Sequence, residues 1–469
     1  EFVRPGLMLC CLLGAGCRQP TEQPKVPSAK PSTGPNIVFI LTDDQAPNTL
    51  GIEGNPHVRT PHLDRLAQRG VLFSRAYVPI PLCAPSRAAI LTGLYPHQNG
   101  VIANKPYPRL SESAVTFPQL LKQNGYACAL VGKWHLGDEH RPQLGFEDLW
   151  VSPARQSKPR YNDPALWVNG RELQHTGQLT SILTDYAVRF VEDHAERPFL
   201  LWLAYQAPHG PLGPPAGWLA QFRPKDLPLP ESVSDDLSSK PRPQRNGHPH
   251  SLFLETPPNE LKKQLASYYA HIACLDHNVG RLVRRLEELN LLDKTLVIFM
   301  SDNGFMNGEH QMFGKGANFY EEQVRTPLIM HWPGHVGPNT RIDALVSSLD
   351  LFPTLCALTG TPAHDGLAGI DLWPLVSGRV SSLREALFFE YEETIRSEPV
   401  PMRGVVTKRY KYVAYVRDGE ELYDLQSDPH ETRNLVEDPD LTGVADSLRQ
   451  RLTAWQAETE DHLKRGAAN

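Results

Sequence analysis

Two pairs of oxygen-bearing side chains follow apolar runs that lie far apart in the chain. Asp43 and Asp44 come after NIVFIL and a threonine, and Asp302 and Asn303 come after TLVIFM and a serine. Carboxylate and amide oxygens suit a hard divalent cation such as calcium or magnesium, whereas zinc prefers nitrogen and sulfur. One Asp-Asp pair after a strand is more often a turn or a helix cap. Two such pairs favour a metal site.

Cationic side chains occur in similar positions. Lys133 and His135 follow CALVG, His209 follows PFLLWLAY, Lys315 lies between two glycines, and Arg87 lies in a predicted helix. A single lysine or histidine is usually solvated or satisfied within the fold. Several such groups beside a metal indicate a strongly anionic ligand, so we expect a substrate that carries a sulfate or a phosphate.

A cysteine stands at the predicted start of that helix, in the stretch PLCAPSRAAILTG at residues 81–93. Pro85 suits a first helical position, and the alanines, isoleucine and leucine that follow favour a helix. A helix N-terminus attracts anions and thiolates through its free N–H groups and its dipole. Cys83 therefore lies where an anionic substrate would bind. The alternative is a small cysteine buried in the core.

The elements that must position these residues follow from the apolar pattern. The four apolar runs have the composition of buried parallel strands. Helical patterns separate them, at residues 61–70, 85–92, 115–124, 178–195 and 259–289. Strands that alternate with helices predict an α/β fold with a mostly parallel sheet covered on both faces. Ligands of such sheets bind at the carboxyl ends of the strands, so we expect the polar residues to converge on one crevice.

Composition excludes some classes of protein. The 469 residues include 47 basic and 53 acidic side chains, without a long run of either sign, so nothing indicates a nucleic-acid partner. The 43 prolines and 34 glycines fit a globular enzyme with long surface loops. The length allows one large domain and a smaller one.

The N-terminal residues have the pattern of an export signal. Arg4 precedes LMLCCLLGAG, a run too short to cross a bilayer. GAGC is similar to a bacterial lipoprotein cleavage site, which predicts residues 1–17 as a signal peptide and a lipid anchor at Cys17. Residues 18–35 are predicted to be a flexible linker. We expect a periplasmic or outer-membrane-anchored protein, and an ordinary cleaved signal peptide is the alternative.

The motifs taken together resemble those of the type I sulfatases, in which a cysteine is oxidised to Cα-formylglycine. CAPSR followed by LTG is the most specific match, and TDDQ, GKWHLG, APHGP, SDNG, GKG and YEE occur in the family's order. The resemblance extends from about Asn36 to LYDLQSDPHETRNL at 422–435. It implies an alkaline-phosphatase-like α/β sandwich with a mostly parallel central sheet and a smaller C-terminal α+β subdomain with antiparallel strands.

The resemblance also implies a metal site. One calcium ion per chain is expected, and the modified Cys83 also touches it. The other residues that match the family's ligands are Asp43, Asp44, Asp302 and Asn303.

Catalytic roles follow from the same resemblance. Arg87, Lys133 and Lys315 match the groups that stabilise formylglycine and hold the sulfate. His135 matches the base that acts on the formylglycine hydrate, and His209 matches the acid that protonates the leaving alcohol.

The implied chemistry explains the need for a cysteine as precursor. A hydrated aldehyde has two hydroxyls on one carbon, so one attacks sulfur beside the cation and the other later expels sulfate. Serine or cysteine would be left as a stable ester. The resemblance therefore predicts hydrolysis of sulfate esters, with sulfated carbohydrates as substrates and a formylglycine-generating enzyme as maturation partner.

Two alternatives remain open. Phosphonate and phosphodiester hydrolases share the fold and in some cases the aldehyde, but two-metal phosphatases usually have Asp-His where this chain has Asp302-Asn303. A non-catalytic binder of sulfated glycans would have lost motif residues, and none is missing here.

The remaining sequence predicts a division into residues 36–375, a catalytic domain, and residues 376–469, a C-terminal subdomain with antiparallel strands and a helix at 441–458. Residues 213–250 lack a clear period and are predicted to be a long loop over the crevice that influences substrate choice, or else a passive surface insertion. His310 and Arg403 are expected to border the substrate pocket.

Overall fold

The computed structural model describes residues 34–105, 108–154, 160–395 and 398–463. The predicted signal peptide, and the predicted linker up to residue 33, lie outside the described residues. The described strands are β1 (Asn36–Asp43), β2 (Val71–Phe73), β3 (Ala76–Tyr77), β4 (Ala127–Gly132), β5 (Leu149–Pro153), β6 (Ala165–Val168), β7 (Arg171–Gln174), β8 (Phe199–Pro208), β9 (Thr295–Ser301), β10 (Met306–Asn307), β11 (Phe313–Gly314), β12 (Leu328–His331), β13 (Thr340–Ile342), β14 (Val346–Ser347), β15 (Ala386–Tyr391), β16 (Thr394–Ile395), β17 (Glu398–Pro399), β18 (Met402–Thr407), β19 (Tyr410–Tyr415) and β20 (Glu420–Asp424).

The described α-helices are α1 (Pro61–Gln68), α2 (Cys83–Thr92), α3 (Pro96–Asn99), α4 (Phe117–Gln123), α5 (Leu179–Asp193), α6 (Ala216–Leu219), α7 (Arg242–Asn246), α8 (His248–Glu255), α9 (Pro258–Glu288), α10 (Glu321–Val324), α11 (Leu351–Thr359), α12 (Trp373–Val376) and α13 (Thr442–Glu458). The six predicted helical patterns correspond to α1, α2, α4, α5, α9 and α13 to within about two residues at each end, and the other described helices were not predicted.

The central sheet has ten strands in the order β13-β2-β12-β9-β1-β8-β4-β5-β6-β7. The four predicted apolar runs form its middle strands β9, β1, β8 and β4, which are neighbours and run parallel. Every residue of these four strands is buried, as expected for parallel strands with both faces covered. The predicted α/β architecture is confirmed.

Helices cover both faces of this sheet. Ile37, Phe39 and Leu41 of β1 pack in one buried cluster with α2, α4 and α11. The alternate residues Val38 and Ile40 pack in a second cluster with α1, α5 and α9. This alternation follows from the two-residue period of a strand, and it leaves the strand ends free to carry polar groups.

The C-terminal part forms a four-stranded antiparallel sheet in the order β15-β18-β19-β20, followed by α13, as the pattern predicted. Val405 of β18 shares a buried cluster with Ala89 of α2 and with α13. The small sheet therefore packs behind the helix that begins at Cys83.

Residues 213–250 are not a featureless loop. They contain α6, α7 and the start of α8, and Phe222 and Leu227 pack on Leu265 and Ala266 of α9. Short helical turns and apolar contacts, rather than a regular period, order this segment.

Two further properties concern the described part of the chain as a whole. Its four cysteines, Cys83, Cys128, Cys274 and Cys356, are free and buried. Among the described helices, none combines the length and apolar composition required to cross a bilayer.

Candidate active site

The site begins where β1 and β9 end side by side. Thr42 and Ser301 are partners in the parallel register, and the N–H of Asp302 donates to the carbonyl oxygen of Thr42 over 3.0 Å. The N–H of Asp44 donates to Oδ1 of Asp302 over 3.2 Å. The backbone ladder therefore brings together the two predicted acidic pairs, as the location of ligand sites in parallel sheets predicts.

These carboxylates and Cys83 form a compact buried cluster. Asp43, Asp44, Cys83 and Asp302 each offer one ligand atom, and these atoms all lie within 4.8 Å of one another. Asn303 joins the group, since its Nδ2 donates to Oδ1 of Asp44 over 2.7 Å. Closely spaced carboxylate oxygens are the donor set that a hard divalent cation takes.

Two buried cations face the carboxylates. Nζ of Lys133 lies 2.6 Å from Oδ2 of Asp43. Nε of Arg87 lies 2.8 Å from Oδ2 of Asp302, and its Nη1 donates to the carbonyl oxygen of Lys133 over 2.8 Å. All four side chains are buried, which makes these charge-assisted bonds strong.

The two carboxylates respond differently to burial. Burial alone would raise the pKa of Asp43, but the nearby cations, led by Lys133, hold that pKa well below its ordinary value. Burial and the charge of Asp43 instead raise the pKa of Asp302 to about 6, although Arg87 and Lys133 oppose the rise. Asp302 is therefore the carboxylate that takes up a proton first.

Lys133 is aimed at the cluster by a close approach of two strands. Gly132 ends β4 with φ of 118°, and a Cβ there would lie 1.9 Å from the carbonyl oxygen of Ala204 in β8. The same carbonyl accepts the N–H of Lys133 over 2.8 Å. A glycine is required at this position because a side chain would push the strand ends apart.

Lys315 approaches the cluster from the loop after β11. Its Nζ contacts Oδ1 of Asp44, lies 2.5 Å from Sγ of Cys83 and lies 3.3 Å from Oδ1 of Asn303. Burial alone would lower the pKa of Lys315, but Asp44 and the other anions hold it well above its ordinary value. Lys315 is therefore a fixed positive charge beside the cysteine.

Cys83 is the first residue of α2, and its Sγ lies 3.2 Å from Oδ1 of Asp43. Burial, followed by the charge of Asp43, raises the pKa of the thiol. In the unmodified cysteine, desolvation and a carboxylate outweigh the attraction of a helix N-terminus for a thiolate. Cys83 is buried, yet it lies among polar groups rather than in the apolar core.

Two histidines complete the predicted site. His209 follows β8, and its Nε2 lies 3.7 Å from Oδ2 of Asp44 while its Nδ1 lies 2.5 Å from the carbonyl oxygen of Gly210. His135 has φ of 64° and a buried Nδ1 without a hydrogen-bond partner among the described residues. Burial, then the charge of Lys133, lowers the pKa of His135 well below its ordinary value, so its ring is neutral.

The two residues predicted to border the substrate pocket are buried against other side chains. His310 is buried, with its Nδ1 2.7 Å from Oδ2 of Asp235 and its ring stacked on Tyr320. Arg403 is buried in a pairing with Asp461. Both side chains are held by partners remote in sequence, and their role at the substrate pocket stays a prediction.

Sequence reasoning missed three residues that hold the site. Oδ1 of Asn104 accepts the N–H of Ala84 over 3.0 Å, in the first turn of α2. The hydroxyl of Tyr268 donates to the carbonyl oxygen of Asp44 over 2.7 Å. The hydroxyl of Tyr161 lies 2.7 Å from the carbonyl oxygen of His209. These contacts involve backbone groups, so no motif marks the residues.

Most of the chain is similar in sequence to known proteins. Residues 35–361 match the family described as Sulfatase, and residues 308–458 match the family described as N-sulphoglucosamine sulphohydrolase, C-terminal. The N-acetylglucosamine-6-O-sulfatase of Bacteroides thetaiotaomicron is 28% identical, over 97% of this chain and 91% of that protein. The ulvan-active sulfatase of Formosa agariphila is 30% identical, over 92% of this chain and 83% of that protein.

A solved structure extends the comparison to the fold. It is of a protein in complex with its substrate, D-glucosamine-2-N,6-O-disulfate, and it matches with a TM-score of 0.85 at 27% identity. The match covers 92% of this chain and 99% of that one.

Proposed function

The chain belongs to the sulfatase family and is a sulfuric ester hydrolase, and from this premise we propose that it acts on sulfated carbohydrates through a formylglycine made from Cys83 beside a calcium ion. The names of its relatives support the carbohydrate substrate. One relative is named as an N-acetylglucosamine-6-O-sulfatase, and one similar protein was solved with a glucosamine disulfate.

The donor set supports calcium. Asp43, Asp44 and Asp302 offer buried carboxylate oxygens, and Asn303 offers an amide oxygen once its amide turns toward the cluster. These are the oxygen ligands that calcium takes. When bound, the ion supplies positive charge that stabilises negative charge on the reacting oxygens.

The position of Cys83 suits a nucleophile beside the carboxylates and cations. The side chain is small, it begins a helix, and it lies against Asp43 and Lys315. Formylglycine at this position supplies an oxygen nucleophile that a thiol lacks. A formylglycine-generating enzyme is the maturation partner that this proposal requires.

The cationic side chains bind the sulfate. Arg87, Lys133 and Lys315 surround the cluster, and their guanidinium and ammonium groups are held in place by buried carboxylates. Preorganised cations of this kind stabilise charge that develops on the transferred group without reorganisation.

His209 is placed to donate a proton. Its Nδ1–H is engaged by the carbonyl oxygen of Gly210, so in the protonated ring the Nε2–H faces the cluster. Oδ2 of Asp44 lies 3.7 Å from Nε2, on the side of the ring that faces the cluster. Proton donation to the departing alcohol oxygen is the general-acid step that an alkyl ester requires.

His135 is placed to accept a proton. Its neutral ring has a buried Nδ1 without a partner in the described structure, and burial, followed by the charge of Lys133, holds its pKa low. A neutral imidazole is the form that acts as a general base.

The N-terminal pattern supports a proposal on location. A signal peptide over residues 1–17 and lipidation at Cys17 would anchor the protein outside the cytoplasm. Fractionation of cells that express the full chain, compared with Cys17→Ala, tests it.

The observation that carries the proposed function is the cluster of carboxylates, Cys83 and three cations at the carboxyl ends of the central strands. The test is release of sulfate from a panel of sulfated mono- and oligosaccharides by enzyme co-expressed with a formylglycine-generating enzyme. Cys83→Ala is the control. Release from a sulfated sugar by the wild type alone supports the proposal, and release from aryl sulfates but from no sugar contradicts the carbohydrate assignment.

A further inference from the structure

A cavity of about 380 Å³ opens beside His209. Its first wall is the segment after β8, where Pro208 and Gly210 flank that histidine. Its second wall is one face of α9, and its third wall consists of Phe305 and Phe313. A mostly apolar cavity of this size with a few polar groups is typical of a small-molecule site.

Each wall of the cavity adjoins a candidate site residue, either in sequence or through a hydrogen bond. Phe305 lies two positions after Asn303, and Phe313 lies two positions before Lys315. On the α9 wall, the hydroxyl of Tyr268 donates to the carbonyl oxygen of Asp44 over 2.7 Å. The cavity therefore continues the site on the side where His209 stands.

The wall nearest the cluster is aromatic. The ring of Phe305 stacks on Tyr268 with centroids 5.9 Å apart, and Phe313 meets Phe305 edge-on at 5.5 Å. Aromatic faces of this kind pack against apolar surfaces, such as the C–H face of a sugar ring.

The lining has almost no net charge. Its ionisable acidic and basic side chains are Glu260 and Lys263, and they pair with each other at 2.9 Å. Gln264 and Ser267, on the same helix face, are neutral hydrogen-bonding groups. Lys263 is the one cation in this lining and it contacts Glu260, whereas three cations surround Cys83.

We propose that this cavity binds the sugar ring that departs as the alcohol, and that it selects an uncharged hexose or hexosamine ring over a hexuronate. His209 protonates the departing oxygen, and its two chain neighbours line the cavity, so the ring attached to that oxygen lies here. A hexuronate would bring a carboxylate to a lining whose one cation, Lys263, already contacts Glu260. This inference rests on the proposed sulfated-carbohydrate function.

The test compares kcat and KM on N-acetylglucosamine 6-sulfate and on a 2-O-sulfated glucuronic acid. We expect a higher kcat/KM on the hexosamine. In Phe313→Ala the KM for the hexosamine should rise about tenfold with little change in kcat, because the ring contact acts in binding. The inhibition constant of inorganic sulfate, which binds only the cationic cluster, should stay unchanged. Leu173→Ala, an exposed apolar residue on β7, is the matched control.

A second pair of variants separates charge from packing. Glu260→Gln leaves Lys263 unpaired, so kcat/KM on the hexuronate should rise relative to that on the hexosamine. Phe313→Leu keeps apolar volume and should give an intermediate KM, which also serves if the alanine variant does not fold.

Three outcomes would overturn the inference. The first is an equal KM in Phe313→Ala and Leu173→Ala, and the second is a wild-type preference for the hexuronate. The third is hydrolysis of aryl sulfates but of no sulfated sugar, which removes the proposed carbohydrate function as well. In the first two outcomes that function stands and only the assignment of the cavity falls.

Discussion

The Nζ atom of Lys133 lies 2.6 Å from Oδ2 of Asp43, and both side chains are almost completely enclosed, at 1% and 0% exposed. The pair connects the end of β4 to the end of β1. A buried ion pair is stable only when both partners are present, since removal of one leaves an uncompensated buried charge.

Lys133→Met should therefore lower the free energy of unfolding of the metal-free protein by about 3–5 kcal/mol, because Asp43 loses its nearest cation. Denaturant unfolding in the presence of a chelator measures this. Lys408→Met, which breaks a surface pair with Asp343, is the control and should cost less than about 1 kcal/mol. Equal losses of unfolding free energy in the two variants would show that the buried pair stabilises the protein no more than the surface pair does.

Loss of an outer-shell partner lowers metal affinity about 10–100-fold, and loss of a carboxylate ligand should lower it more. Asp302→Asn should therefore weaken calcium binding by more than that factor. It should also abolish turnover. Isothermal titration calorimetry and sulfate release are the measurements. Asp185→Asn is the control, since Asp185 pairs with Arg281 at the surface. Normal activity of Asp302→Asn in the presence of a chelator would refute the metal assignment.

Calcium affinity should fall as the pH falls through about 6, because the raised pKa of Asp302 lets a proton compete with the ion. Calorimetry in two buffers of different ionisation enthalpy should detect proton release at pH 6 and little at pH 8. Since the pKa is raised in the folded state, Asp302 should also lower the stability of the metal-free protein as the pH rises from 3.8 to about 6. A calcium affinity that stays constant as the pH falls through about 6 would contradict the prediction on binding.

Tyr161→Phe should slow the release of poor leaving groups. The Tyr161 hydroxyl lies 2.7 Å and 2.9 Å from the carbonyl oxygens of His209 and Gln206, so it positions the segment that carries the proton donor. We expect kcat on an alkyl sulfate to fall about tenfold, a part of the 10²–10⁴ that general acid catalysis contributes. An aryl sulfate, whose leaving group needs no proton, should be affected little.

The control for this variant is Tyr186→Phe, whose hydroxyl lies 2.9 Å from Nε2 of His175. An equal fall of kcat on alkyl and aryl sulfates in Tyr161→Phe would indicate a general structural role. An unchanged kcat on both substrates would show that Tyr161 does not position the segment that carries His209.

The parallel central strands and the meeting of the acidic pairs could be predicted from the sequence, whereas the order of the strands in the sheet could not. Apolar runs that end in polar residues specify buried parallel strands, and such strands align their carboxyl ends. Asp43 and Asp302 therefore meet although 259 positions separate them. The motif residues of the family supplied the expected positions of Arg87, Lys133 and Lys315.

Other parts of the site depend on contacts that no local pattern encodes. His310 is enclosed because Asp235, 75 positions away, accepts its ring N–H. Arg403 is buried against Asp461, which lies 58 positions later in the chain. The protonation of Cys83 depends on burial and on Asp43, both of which are properties of the folded chain and outweigh the local effect of the helix start.

The division into residues 36–375 and 376–469 stays a prediction. The helix that begins at Cys83 and the small C-terminal sheet share one buried cluster through Ala89 and Val405. Packing of this kind links the two parts without defining a boundary between them.

Variants of Cys83 separate catalysis from anion binding. Cys83→Ala should fold, because a small residue at a helix start leaves little empty space, and it should bind a sulfated sugar without hydrolysing it. Cys83→Ser should complete at most one turnover and accumulate a sulfated serine, since its hydroxyl attacks sulfur but cannot expel sulfate afterwards. Intact-mass detection in a pre-steady-state assay distinguishes the two.

The most direct test measures the mass of the peptide that contains Cys83 together with the turnover of the same preparation. The wild type is made with and without a co-expressed formylglycine-generating enzyme. We predict that the peptide loses the mass difference between a thiol and an aldehyde, and that turnover rises in proportion to the converted fraction. Multiple turnover by protein whose Cys83 is entirely an unmodified thiol would contradict the account.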